Sequence, residues 1–134
     1  MSDVDSVTPG APAPAWRVWA GRILTALPAL VFTMSAAMKL SQSPEVVDGM
    51  TKGGFPPGAP LAIGVVELVC LVLYLIPRTA VLGAVLLTGY LGGAVVTHVQ
   101  ARNSFLVPLV VGAMVWAGIY LRETRLWSVL PLRK

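Results

Sequence analysis

The chain has 134 residues, of which 56% are hydrophobic and only 12% charged, with a net charge of +4. Soluble domains carry about 25% charged residues, so this balance excludes an ordinary water-soluble globule and points to lipid as the solvent. The basic residues flank apolar runs and form no stripe interleaved with aromatics, so nucleic acid is not an expected partner. The single cysteine, Cys70, sits inside an apolar run, which excludes an intrachain disulfide and a Cys-x-x-Cys redox pair.

Residues 1–14 are polar, weakly acidic and rich in Pro, Ala and Gly, the composition of a disordered cytoplasmic tail. The first apolar run extends from Trp16 to Leu40, with Arg17 and Arg22 at its start and Pro28 inside it. A signal peptide has the same order of basic, apolar and small residues. The acidic segment before it and its length of about 25 residues instead predict a spanning helix. Ser43-Pro44-Glu45 then predicts a short helical turn, and the Gly- and Pro-rich stretch from Gly53 to Gly58 a loop.

The second predicted span is Pro60 to Ile76, closed by Pro77, at about the minimum length for crossing the hydrocarbon core. The third is Thr79 to Gln100, in which Gly89 and Gly93 form a small-xxx-small face suited to close helix packing, within the bundle or between protomers. The fourth is Phe105 to Leu121, with Pro108 in its first turn. The remaining tail, 123–134, alternates charge with Leu, Trp and Val, as a cytoplasmic helix lying in the interface would.

Short connections make the helices of 15–122 antiparallel neighbours, so the expected fold is all-α: a four-helix transmembrane bundle, up-down-up-down. Seven basic residues (Arg17, Arg22, Arg78, Arg122, Arg125, Arg133 and Lys134) fall on one side and three (Lys39, Lys52 and Arg102) on the other. That asymmetry predicts a multi-pass protein with both termini in the cytoplasm.

Ionisable groups at membrane depth are costly, and Glu67 is the most exposed to that cost. Its own helix supplies no nearby charge, so it is protonated or paired with another helix. Lys39 ends the first span and His98 lies near the end of the third, so depth alone predicts that Lys39, Glu67 and His98 converge in the outer half of the bundle. Thr97 adjoins His98, and Tyr90, two turns deeper, would floor the same pocket. This cluster reads either as a small ligand-binding or proton-handling pocket, or as a buried pair that sets helix register. His98 and Glu67 offer at most two good metal ligands, too few for a closed zinc site. GGFPPG lacks the Lys-Ser/Thr ending of a phosphate-binding loop.

The segments MSAAMKL, GVVELVCLVLYLIPRT, GYLGGAVVTHVQ and WAGIYLRETRLWSVLP together resemble the DoxX-like family. Gly89 to His98, read as Gly-Tyr-x-Gly-Gly-Ala-x-x-Thr-His and followed by Arg102, is the most specific match. The resemblance implies a small four-helix protein of the bacterial inner membrane, with recurring polar positions at Lys39, Glu67, Thr97 and His98. Its implied roles diverge: a quinone-linked redox subunit, a membrane partner in an oxidative-stress complex, or an assembly chaperone. Three functions follow as expectations. The first is an accessory subunit holding a quinone-type ligand on Tyr90, His98 and Glu67, with electrons supplied by a redox partner protein. The second is a non-enzymatic chaperone or assembly factor. The third is a small transporter or channel acting as a homo-oligomer, disfavoured by the absence of an inverted repeat.

Overall fold

Pro44, Pro60 and Pro108 each stand in the first turn of a helix. The computed structural model describes residues 14–129, in which all regular structure is helical: α1 (Ala15–Leu40), α2 (Pro44–Lys52), α3 (Ala59–Leu75), α4 (Ala80–Gln100), α5 (Leu106–Arg122) and α6 (Leu126–Val129). The four long helices coincide with the four apolar runs to within a residue at each end. The turn expected at Ser43-Pro44-Glu45 extends to the nine residues of α2, with Pro44 in its first turn. The tail beyond α5 forms one short turn of helix, α6, within the described residues. The acidic tail read over 1–14 lies almost wholly outside them.

Three helix ends close in the same way. A left-handed residue follows α1 (Gln42, φ 55°), α2 (Gly54, φ 88°) and α4 (Arg102, φ 56°). In each case the next amide donates back to a carbonyl in the last turn: Ser43 to Met38, Phe55 to Met50 and Asn103 to His98. This motif satisfies carbonyls that the helix end leaves free. Glycine is its usual residue, and only α2 uses one.

The outside of the described helices is apolar. Leu30, Met34 and Leu106 each expose more than 60% of their surface, and Val66, Leu82, Val96 and Val110 more than half. The buried set includes Phe32, Leu71, Tyr74, Leu87, Val115 and Ile119, but also Thr25 and Glu67. Contiguous apolar exterior with polar groups inside is the arrangement a lipid solvent favours.

Within this set α1 lies against α3 and α5, and α4 lies against the same two helices. Glycines make the closest approaches. A Cβ at Gly83 would collide with the Tyr74 backbone, so α4 lies directly on α3 there. A Cβ at Gly118 would come within 2.9 Å of Thr25 Oγ1 and 3.1 Å of the Leu24 carbonyl. Pro28 has no amide to offer that carbonyl, which is its i−4 partner, and Gly118 lets α5 approach the place where the bond is missing. Hydrogen bonds join the helices elsewhere: Tyr74 Oη donates to the Val115 carbonyl (2.9 Å) and Trp116 Nε1 to Thr88 Oγ1 (2.7 Å).

Gly89 and Gly93 behave differently. Both are exposed, and a Cβ at either would meet nothing within 4 Å. Within the described chain they make no close helix contact, because the spacing identifies a smooth face without saying which way it points. Leucine at Gly83 or Gly118 is expected to destabilise the protein by about 3 kcal/mol or more through overpacking. Leucine at Gly89 or Gly93 is expected to leave the single chain folded, with a melting temperature in detergent micelles close to that of the parent. Thermal unfolding of the four variants separates the two classes.

Candidate functional site

The polar centre of the molecule is assembled from α1, α3 and α4. Lys39 lies in the last turn of α1, and helical side chains lean toward the N-terminus of their helix. Its stem therefore runs back along α1, and Nζ donates to Ser35 Oγ one turn earlier. Gly64 makes room for that stem, since a Cβ there would stand 2.9 Å from Lys39 Cβ. One turn farther along α3, Glu67 Oε2 accepts from Lys39 Nζ at 2.8 Å. The carboxylate side chain is 1% exposed and the lysine side chain 13%.

Tyr90 completes the centre from α4. The ring meets Phe32 edge to face, with centroids 6.2 Å apart, and the Lys39 ammonium stands 5.8 Å from its centroid. Buried Cys70 occupies the next turn of α3 after Glu67. A part-buried ammonium and a buried carboxylate are thus paired, with the Ser35 hydroxyl on α1 and the Tyr90 ring on α4 close to the ammonium. Such an arrangement holds three helices in one register and offers hydrogen-bond donors and an acceptor at a single point.

The sequence-predicted residues divide. Lys39, Glu67 and Tyr90 come together. Thr97 and His98 do not join them: Thr97 Oγ1 donates to the Ala94 carbonyl (2.8 Å) and His98 Nδ1 bonds to the same carbonyl (2.7 Å). His98 is eight residues beyond Tyr90, roughly 12 Å along the helix axis. The long lysine stem explains the difference, because it carries the Lys39 charge back toward the middle of α3 and α4 rather than leaving it level with His98. Glu67 and Tyr90 accordingly sit midway along their helices. Ser35 escaped the sequence reading, although its position one turn before Lys39 was the available signal.

A second polar group, also missed, lies at the opposite end of the helices. Arg122 Nη1 donates to Thr25 Oγ1 (3.3 Å) and Nη2 to the Tyr74 carbonyl near the end of α3 (3.4 Å). The guanidinium stands 5.3 Å from the Tyr74 ring centroid. Close by, the Arg17 guanidinium stacks on the Trp127 ring at 3.4 Å. Thr25 and Tyr74 are indistinguishable from their apolar neighbours by periodicity, and Arg122 reads as a flanking charge.

A model of the DoxX-like family matches residues 23–118. The chain belongs to the DoxX-like family. No curated protein and no solved structure matches it. The matched region holds all the residues of the polar centre. Two helices, α1 and α4, are long and apolar enough to cross a membrane, and α3 and α5 are shorter apolar helices. Family and composition together make this DoxX-like chain a membrane protein.

Glu67→Leu strands a buried ammonium and is expected to cost about 3–5 kcal/mol of stability. His98→Leu removes one partly exposed bond within a single helix and is expected to cost about 1 kcal/mol or less. Denaturant titration in mixed micelles, read by tryptophan fluorescence, measures both.

Proposed function

We propose that this DoxX-like chain is a non-enzymatic accessory subunit, an assembly factor, of a bacterial inner membrane. It crosses the bilayer four times, up-down-up-down, with both termini cytoplasmic. In this reading Lys39, Glu67, Ser35 and Tyr90 lock the helices so that the outer face keeps a fixed shape for a partner. The observation that carries it is the closure of the centre: Glu67 is 1% exposed and already holds Lys39 at 2.8 Å. A satisfied and covered pair contributes specificity of packing without a substrate. The basic residues flanking the spans support the orientation. The open face around Gly89 and Gly93 is suited to another transmembrane helix, from a second copy or a partner protein.

One observation favours a second reading, in which the centre binds a quinone-type ligand. The Tyr90 ring, on a third helix, stands 5.8 Å from the Lys39 ammonium, so a carbonyl entering between α1 and α4 would meet an aromatic ring and an ammonium together. Electrons for such a ligand would come from a redox partner, since the described side chains include no redox centre.

Mass spectrometry of small molecules retained after mild extraction, compared between the parent and Glu67→Gln, separates the two. The accessory reading expects no retained quinone in either sample. A quinone present in the parent and lost in a folded Glu67→Gln variant would establish the ligand reading instead. Reporter fusions at the two termini and in the connection after α3 test the topology. The expected result is all three on the cytoplasmic side, and a reporter outside at any of them contradicts it.

A further inference from the structure

The hollow at the arginine-rich end has a chemistry that the polar centre does not explain. It measures about 320 Å³ and is lined by Leu75, Pro77, Ala80, Arg122 and Glu123. Its walls are the end of α3, the turn into α4 and the end of α5. Arg122 and Glu123 are adjacent in sequence and carry opposite charges, yet they do not pair. Among the described residues the only ion pair is Lys39–Glu67. Arg122 spends two donors on Thr25 and Tyr74 at 3.3 and 3.4 Å. A guanidinium has five, so three remain without a partner among the described residues. Glu123, the C-cap of α5, keeps a carboxylate that only accepts. The hollow therefore presents an anion-binding group and a cation-binding group side by side, above an apolar wall. The carbonyl end of α3 at Leu75 adds partial negative charge on the cation side.

Its depth narrows the ligand. Trp16 and Trp19, 67% and 61% exposed, lie at the start of α1, at the same end as Arg122. Exposed tryptophans mark the headgroup level of a membrane. On the membrane-spanning reading above, the hollow therefore lies at headgroup depth. We propose that the hollow binds the headgroup of a zwitterionic aminophospholipid, phosphatidylethanolamine. The phosphate meets Arg122, the primary ammonium donates to Glu123, and the first acyl carbons cover Leu75, Pro77 and Ala80. Phosphatidylglycerol offers no cation to Glu123. Phosphatidylcholine carries a cation with no N–H, so it leaves the carboxylate without a hydrogen bond.

The test reconstitutes the full chain in nanodiscs holding equal amounts of the three lipids and reads retained lipid by native mass spectrometry. Phosphatidylethanolamine is expected to be retained roughly tenfold over phosphatidylcholine, the scale of one charge-assisted hydrogen bond. Glu123→Gln is expected to lose most of that preference while keeping the parental melting temperature, because Glu123 has no partner in the folded chain among the described residues. Arg122→Lys, which keeps a charge but removes the fork, is expected to weaken retention of all three lipids. Equal retention of the three lipids by the parent, or an unchanged preference in Glu123→Gln, overturns the proposal. Binding of soluble phosphoethanolamine as tightly as the lipid overturns it in favour of a free headgroup ligand. Carbonate extraction reads the underlying membrane reading separately: a chain released from membranes contradicts that reading, whereas an embedded chain without lipid preference contradicts only the site.

Discussion

An ammonium and a carboxylate held together in the interior, behind an apolar exterior, is the constraint on which the rest of the structure depends. Neither Lys39 nor Glu67 reaches solvent enough to be satisfied by it, so each must be satisfied by the other. That requirement fixes how α1 and α3 lie relative to each other along their axes. A slip by one turn would move the carboxylate about 5 Å from the ammonium. Gly64 is part of the same constraint, because any larger residue would lift α3 away from the lysine stem. Phe32 and Tyr90 then bring α4 into the same register through their edge-to-face contact.

The opposite end obeys the same rule with different chemistry. There the helices are joined by one guanidinium and several neutral groups. Arg122 spans from α5 to Thr25 on α1 and to the Tyr74 carbonyl on α3, and the Tyr74 hydroxyl returns to the Val115 carbonyl on α5. Gly118 permits the close approach of α5 to α1 beside Thr25, and Gly83 that of α4 to α3 beside Tyr74. Thr25, Thr33 and Thr88 satisfy their hydroxyls on carbonyls of their own helices. The two ends differ in consequence. The centre around Glu67 is closed, whereas the end around Arg122 leaves opposite charges facing one hollow.

Much of this was legible in the amino-acid order. Four apolar runs, the second opened by Pro60 and closed by Pro77, place the four long helices to within a residue at each end. A lone acid in the second run and a lysine at the end of the first pointed to each other by depth. Depth is an axial coordinate, however, and it says nothing about how far a side chain travels back along its helix. Lys39 travels a full turn toward Ser35, which left His98 and Thr97 outside the cluster they were expected to join. Direction around the helix is likewise not carried by the spacing: Gly89 and Gly93 lie on the exposed side, where their face is open to a contact between chains and not to one within the described chain. The left-handed closures at Gln42 and Arg102 could not be anticipated, because neither is a glycine. Family membership is carried by short motifs spread over most of the chain; the family match over 23–118 contains the first three and ends three residues into the fourth.

Lys39 and Glu67 act as one unit that organises the helices. A double-mutant cycle measures this directly, using Lys39→Met, Glu67→Leu and the combined variant, with unfolding free energies determined in mixed micelles. The account predicts that each single change is strongly destabilising and that the double variant recovers most of the loss, with a coupling energy of about 2 kcal/mol or more. Additive losses, with coupling within about 0.5 kcal/mol of zero, would mean that the two residues act independently and would contradict the account.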